Sequence, residues 1–173
     1  DPASNFGVAK KLNEEIPNSH ILDQWNNCCN PDAHYFDTAQ EILNDFGTDL
    51  HMVVMGVGTG GTATGVGKRL KEEISDIKII GADPYGSILG GEDEYKGQPY
   101  KVEGIGYDFV PKTCEHEYID SFVKVNDKEA FNTARALIRE EGLLIGGSCG
   151  SAMFAALKAA KSLKKGQNCL VIL

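Results

Sequence analysis

The chain has 173 residues, with 17 Lys and Arg against 25 Asp and Glu, and a net charge of −8 at pH 7. Apolar residues make up 42 % and charged residues 24 %, the proportions of a globular chain that can bury a core and not of a disordered one. No apolar run approaches the roughly 20 residues that cross a bilayer, and an acidic chain without a dense Lys/Arg cluster is poorly suited to neutralise a phosphate backbone, so membrane spanning and nucleic-acid binding are excluded.

The length fits one domain or a piece of a larger one. Five cysteines (Cys28, Cys29, Cys114, Cys149 and Cys169) include an adjacent pair and no Cys-x-x-Cys spacing. That pattern reads as free thiols in a cytoplasmic protein, not as a disulfide framework. His20, His34, His51 and His116 lack ligand spacing, so no zinc or other metal site is expected. No signal peptide opens the chain, its first residue is not Met, and it stops on the strand-like run Cys169–Leu173. It therefore reads as a fragment of something longer.

Phe6, Val8, Ala9, Leu12 and Ile16 fall at helical spacing, ended by Pro17. A second helix is predicted from about Asp37 to Phe46, with Asp37 as its cap, Gln40 as the capping-box partner and Gly47 as the stop. Met52–Met55 reads as a strand, Thr62–Ile74 as a helix and Lys78–Ala82 as a strand. Asp83–Pro111, rich in Gly, Pro and Tyr, is longer than a plain connection and suggests a functional loop. Tyr118–Val125 reads as a strand and Asp127–Glu141 as a helix stopped by Gly142. Leu143–Ile145 reads as a short strand before a glycine-rich turn, followed by a helix from Ser151 to Leu163 and a last strand from Leu170 to Leu173.

Strands that are apolar on both faces and alternate with helices imply an α/β, doubly wound, mainly parallel sheet. Such sheets bind ligands beyond the carboxyl ends of their strands, which directs attention to two turns. The first runs from Gly56 to Gly67 and holds six glycines, with Thr59 and Thr62 among them. Close backbone approach, the unpaired N–H groups of a helix start and two hydroxyls make an anion site, most naturally for phosphate. Two ligands fit at this point. Gly56-x-Gly58-x-x-Gly61 with Asp83 about twenty residues on matches the dinucleotide fingerprint of an NAD-binding oxidoreductase. Against that, some 50 residues precede the motif, an Asp-Pro step commonly begins a turn, and a hydroxyl-rich cup suits a terminal monoester better than a bridging pyrophosphate.

The second turn, Gly146-Gly-Ser148-Cys149-Gly-Ser151-Ala152, would place Ser148 in the same crevice. Taken alone, Ser148 or Ser151 reads more simply as a helix cap, and Cys149 as a small packing residue.

Together the turns resemble the cystathionine β-synthase and cysteine synthase family, pyridoxal-phosphate enzymes of fold type II, over essentially the whole chain. Gly58-Thr59-Gly60-Gly61-Thr62 is similar to that family's phosphate cup, and Gly147-Ser148 with Gly150-Ser151 to its pyridine-nitrogen site. Asp23-Gln24-Trp25-x-Asn27-x-x-Asn30-Pro31 and Glu103–Pro111 also match. Tyr107-Asp108 after Gly104-Ile-Gly106 resembles the cystathionine-forming branch, and Trp25 stands where a Tyr or Phe is usual.

The resemblance implies the carboxyl-terminal half of a catalytic domain, with residues 1–45 partly in a smaller subdomain and 46–173 in a larger one. It implies pyridoxal 5′-phosphate as cofactor, bound by Gly58, Thr59, Gly60, Gly61, Thr62 and Ser148. Gln24, Trp25, Gly106 and Tyr107 would lie on the substrate side. The reaction implied is exchange of the L-serine hydroxyl for the thiol of homocysteine, giving cystathionine, in a homodimer. The family's Schiff-base lysine, its loop for the substrate carboxylate, the haem segment of animal members and the regulatory domains match nothing here, so the isolated chain is expected to be inactive. Cysteine synthase activity, an NAD-binding oxidoreductase and a non-catalytic degenerate module are the alternatives.

Overall fold

Four short apolar runs pair side by side in a computed structural model that describes residues 2–91 and 94–173. They are β1 (Met52–Gly56), β2 (Lys78–Pro84), β3 (Ser121–Val125) and β4 (Cys169–Val171). The order is β3-β2-β1-β4, and every pairing is parallel. Register brings Val54 opposite Ile80 and Val171, so the middle strands are clothed on both faces, as a parallel sheet requires.

The helices are α1 (Asn5–Glu15), α2 (Cys29–Ala33), α3 (Ala39–Phe46), α4 (Gly61–Glu73), α5 (Asp127–Ala136) and α6 (Gly147–Ala159). Side-chain alternation along the strands divides the core in two. Val53, Met55 and Ile79 pack with Ala39 and Ile42 of α3 and with Ala63, Val66 and Leu70 of α4. Met52, Val54, Ile80 and Ala82 pack on the other face with Ala130 of α5 and Ala155 and Ala156 of α6. The expected doubly wound arrangement is the one observed. Among the described residues no helix is long and apolar enough to cross a membrane.

Several boundaries differ from expectation. Asp37 does not cap a helix: it lies inside a π-helical turn, His34–Thr38, that joins α2 to α3. The helical stretch begins earlier because Pro31 falls in its first turn, where a missing N–H costs nothing. Gln40 donates to Asn44 instead of completing a capping box. Gly47 does stop α3, at φ +57°. Tyr118 belongs to a 3₁₀ turn, so β3 starts only at Ser121. Leu143–Ile145 forms no strand, and Leu144 is 95 % exposed. Apolar character alone does not make a strand where no neighbour offers a backbone ladder.

Helix α6 begins four residues before the predicted Ser151. Gly146 is its N-cap, so neither Ser148 nor Ser151 caps it. The long segment after β2 has no helix or strand up to residue 115 among its described residues; Glu92 and Asp93 lie outside them. Side-chain bonds organise it. Ser87 Oγ accepts the Tyr107 N–H at 3.0 Å and lies 3.1 Å from the Tyr107 carbonyl, closing the loop upon itself.

Candidate active site

Strand β1 ends at Gly56, and the turn that follows is fixed from two sides. The Val57 N–H donates to Ala82 at the end of β2, and the Val57 carbonyl accepts the Gly106 N–H at 2.8 Å. Gly60 then takes φ +81°, where a side chain is strained, and a Cβ there would come within 2.6 Å of the Cys114 Cα. With that residue as N-cap, α4 starts without a side-chain cap and without an acidic residue in its first turn. The start of α6 is built the same way. Uncapped first-turn amides and the positive end of the helix dipole favour an anionic or electron-rich partner.

Both starts meet at one cleft. Thr62 from α4 and Ser148 from α6 line it together, with Met55, Gly56, Ile105, Cys149, Ile172 and Leu173, around a volume of about 160 Å³. Ser148 is half-buried, as is Thr62, and the slot they line is mostly apolar.

The other predicted residues lie around this cleft in distinct places. Gly58 is pressed against the Gly104–Ile105 backbone: a Cβ on it would stand 2.5 Å from the Gly104 carbonyl oxygen. Thr59 accepts from Asn30 Nδ2 at 3.1 Å, and its carbonyl accepts from Thr113 Oγ1 at 2.7 Å. Gly60 and Gly61 are buried in the turn itself. Gln24 is exposed, and its carbonyl takes a bond from the same Asn30 amide. Trp25 and Tyr107 form an aromatic cluster with Phe6 and Phe109, with ring centroids 5.0–6.4 Å apart, and neither lines the cleft. Gly106 sits behind Tyr107 at φ +78°, tied to Val57.

One reading needs correction. Asp83 is not open to a ribose. It is fully buried, paired with Lys124 Nζ at 2.7 Å, and it accepts the Gly90 N–H, which removes the acid that a dinucleotide site would need. Cys149 stands half-buried on the cleft wall beside Ser148.

Sequence reasoning missed His34. Its Nε2 lies 3.1 Å from Thr62 Oγ1, and its Nδ1 lies 3.0 Å from Thr38 Oγ1. Partial burial lowers its pKa, which keeps the ring neutral near pH 7. The 28 residues between His34 and Thr62 hide this pairing from local pattern.

The residues present fit a phosphorylated pyridine aldehyde. A phosphate monoester calls for amides and a hydroxyl at a helix start, and α4 with Thr62 offers them. A ring nitrogen calls for one neutral polar group, and Ser148 offers a hydroxyl. Among the described residues no lysine lines this cleft.

Comparison with known proteins defines the class. The family described as pyridoxal-phosphate dependent enzyme matches residues 1–173, and the chain belongs to that family, with pyridoxal 5′-phosphate as its cofactor. The chain is 53 % identical to cystathionine beta-synthase of Dictyostelium discoideum over 99 % of its own length and 35 % of that protein. It is 43 % identical to a Helicobacter pylori cysteine synthase, over 95 % of the chain and 53 % of the relative. Its fold superposes at TM-score 0.90 and 42 % identity on the O-acetylserine dependent cystathionine beta-synthase from Helicobacter pylori, covering 97 % of this chain and 54 % of that one. The chain thus spans about a third of the Dictyostelium relative and about half of the bacterial ones. Within this family these relatives support β-replacement chemistry.

Proposed function

We propose that the complete protein replaces the hydroxyl of L-serine by the thiol of L-homocysteine, forming cystathionine and water. The carrying observation is that Thr62 and Ser148, from two uncapped helix starts, share one cleft at the carboxyl end of β1. The relatives named cystathionine beta-synthase favour this thiol over sulfide. Bound in the cleft, pyridoxal phosphate supplies an electron sink for the bonds at the substrate α-carbon.

The chain's own groups bind and orient. The first turn of α4 and the Thr62 hydroxyl would hold the phosphate of the cofactor. The Ser148 hydroxyl would donate its proton to the ring nitrogen and, being neutral, would not keep that nitrogen cationic as a carboxylate would. A weaker sink favours prompt loss of the β-hydroxyl over reactions that need a long-lived carbanion. Over the reaction the α-proton leaves, the Cβ–O bond breaks with release of water, the Cβ–S bond forms, and Cα regains a proton.

The test is product analysis by mass spectrometry with the full-length protein. Cystathionine from serine and homocysteine is expected. Cysteine from O-acetylserine and sulfide, with no cystathionine, would replace this reading by the cysteine synthase one.

A further inference from the structure

We propose that His34, backed by Thr38, is a positioning residue that turns the Thr62 hydroxyl so that its proton points at the phosphate of the bound cofactor. The proposal rests on the cofactor assignment above and adds to it a residue outside the glycine turn.

The imidazole stands between two hydroxyls, with Thr62 Oγ1 at 3.1 Å from Nε2 and Thr38 Oγ1 at 3.0 Å from Nδ1. A neutral ring carries one N–H, so the two hydroxyls must be used in opposite senses. In one arrangement Nδ1–H donates to Thr38 and Nε2 accepts the Thr62 proton, which leaves only lone pairs facing the cleft. In the other, Thr38 donates to Nδ1 and Nε2–H donates to Thr62 Oγ1, so the Thr62 proton is free to point outward. A phosphate dianion beside Thr62 selects the second arrangement, because a charge-assisted O–H donor replaces a repulsive lone pair.

Local structure supports this role. His34 and Thr38 are the first and last residues of the π-helical turn, a backbone irregularity frequent at functional sites. Four residues upstream, Asn30 Nδ2 meets Thr59 Oγ1 at 3.1 Å. The segment from Asn30 to Thr38 therefore reaches the Thr59 and Thr62 hydroxyls of the glycine turn, although it lies outside that turn in sequence.

The test is equilibrium binding to the full-length apoprotein, followed by absorbance, with pyridoxal 5′-phosphate and with pyridoxal, which lacks the phosphate. His34→Phe is expected to raise the Kd for pyridoxal phosphate about tenfold, the worth of one hydrogen bond to a charged group. The Kd for pyridoxal should change less than about twofold. In a Thr62→Val background the same replacement should change neither, because the hydroxyl it directs is gone. Thr38→Val keeps the side-chain shape and should act in the same direction, which preserves the test if His34→Phe fails to fold. Equal losses for both ligands, or an undiminished His34 or Thr38 effect in the Thr62→Val background, would overturn the relay and leave the cofactor assignment standing. A wild-type apoprotein that binds no pyridoxal phosphate would overturn both.

Discussion

Replacing Lys124 by Met tests what holds the long loop after β2. Lys124 Nζ donates to Asp83 Oδ2 at 2.7 Å and to the Ser87 carbonyl at 2.6 Å. The lysine side chain is 16 % exposed and the aspartate fully buried. Among the described residues Asp83 Oδ1 has no hydrogen-bond partner, so removal of the ammonium leaves a buried carboxylate with the Gly90 N–H as its described donor. Breaking one half of a buried pair costs about 3–5 kcal/mol, a large part of the roughly 5–15 kcal/mol that stabilises a domain. Replacing both partners, as Asp83→Leu with Lys124→Met, removes the stranded charge and should restore much of that loss. Urea denaturation of the two variants and the parent reads the difference as a shift in midpoint at constant slope. A Lys124→Met protein within about 1 kcal/mol of the parent, or a double variant worse than the single one, would refute the reasoning.

Thr64 is buried, donates to the Thr113 carbonyl at 2.8 Å and accepts the Glu115 N–H at 2.9 Å. Thr64→Val keeps the shape but strands both groups, so a loss of about 2–3 kcal/mol is expected by urea denaturation. Burial, with a smaller contribution from the Asp83 charge, pushes the Cys114 thiol up to about 11. Iodoacetamide at pH 8 should label the exposed Cys28 and Cys29 and spare Cys114, as read by peptide mass spectrometry. Because the folded state keeps the Cys114 proton after the unfolded thiol has lost it, this group lowers stability by roughly 2 kcal/mol as pH rises from 9 to 11, with little effect below about 8. A Cys114→Ala variant should lose that part of the alkaline slope. Ser148→Asp should hold the ring nitrogen protonated, shifting the absorbance of the holoenzyme and diverting turnover towards transamination; an unchanged spectrum and product ratio would disprove the assigned role.

The sheet was legible because its strands are apolar on both faces and punctuated by glycine. Met52–Met55 and Lys78–Ala82 admit few other readings. The glycine turn was legible for the same local reason, since Gly60 needs a positive φ within a few residues of the strand end. Helix starts were harder. Gly146-Gly147 reads as a loop by propensity, yet α6 begins there because tertiary packing against α5 outweighs a weak local preference. Partners distant in sequence left no trace at all. Nothing near Asp83 announces Lys124, and nothing near Thr62 announces His34. Leu143–Ile145 shows the converse limit, because apolar residues bespeak burial only where another surface is offered to them.

The aromatic cluster at Trp25 has an optical consequence. These 173 residues hold a single tryptophan, and its indole touches Phe6 at the start of α1 and both Tyr107 and Phe109 beyond the glycine turn. Emission from this segment therefore originates at the junction of two stretches some 80 residues apart in sequence. Its colour and lifetime form an intrinsic gauge of whether that junction is closed or sprung.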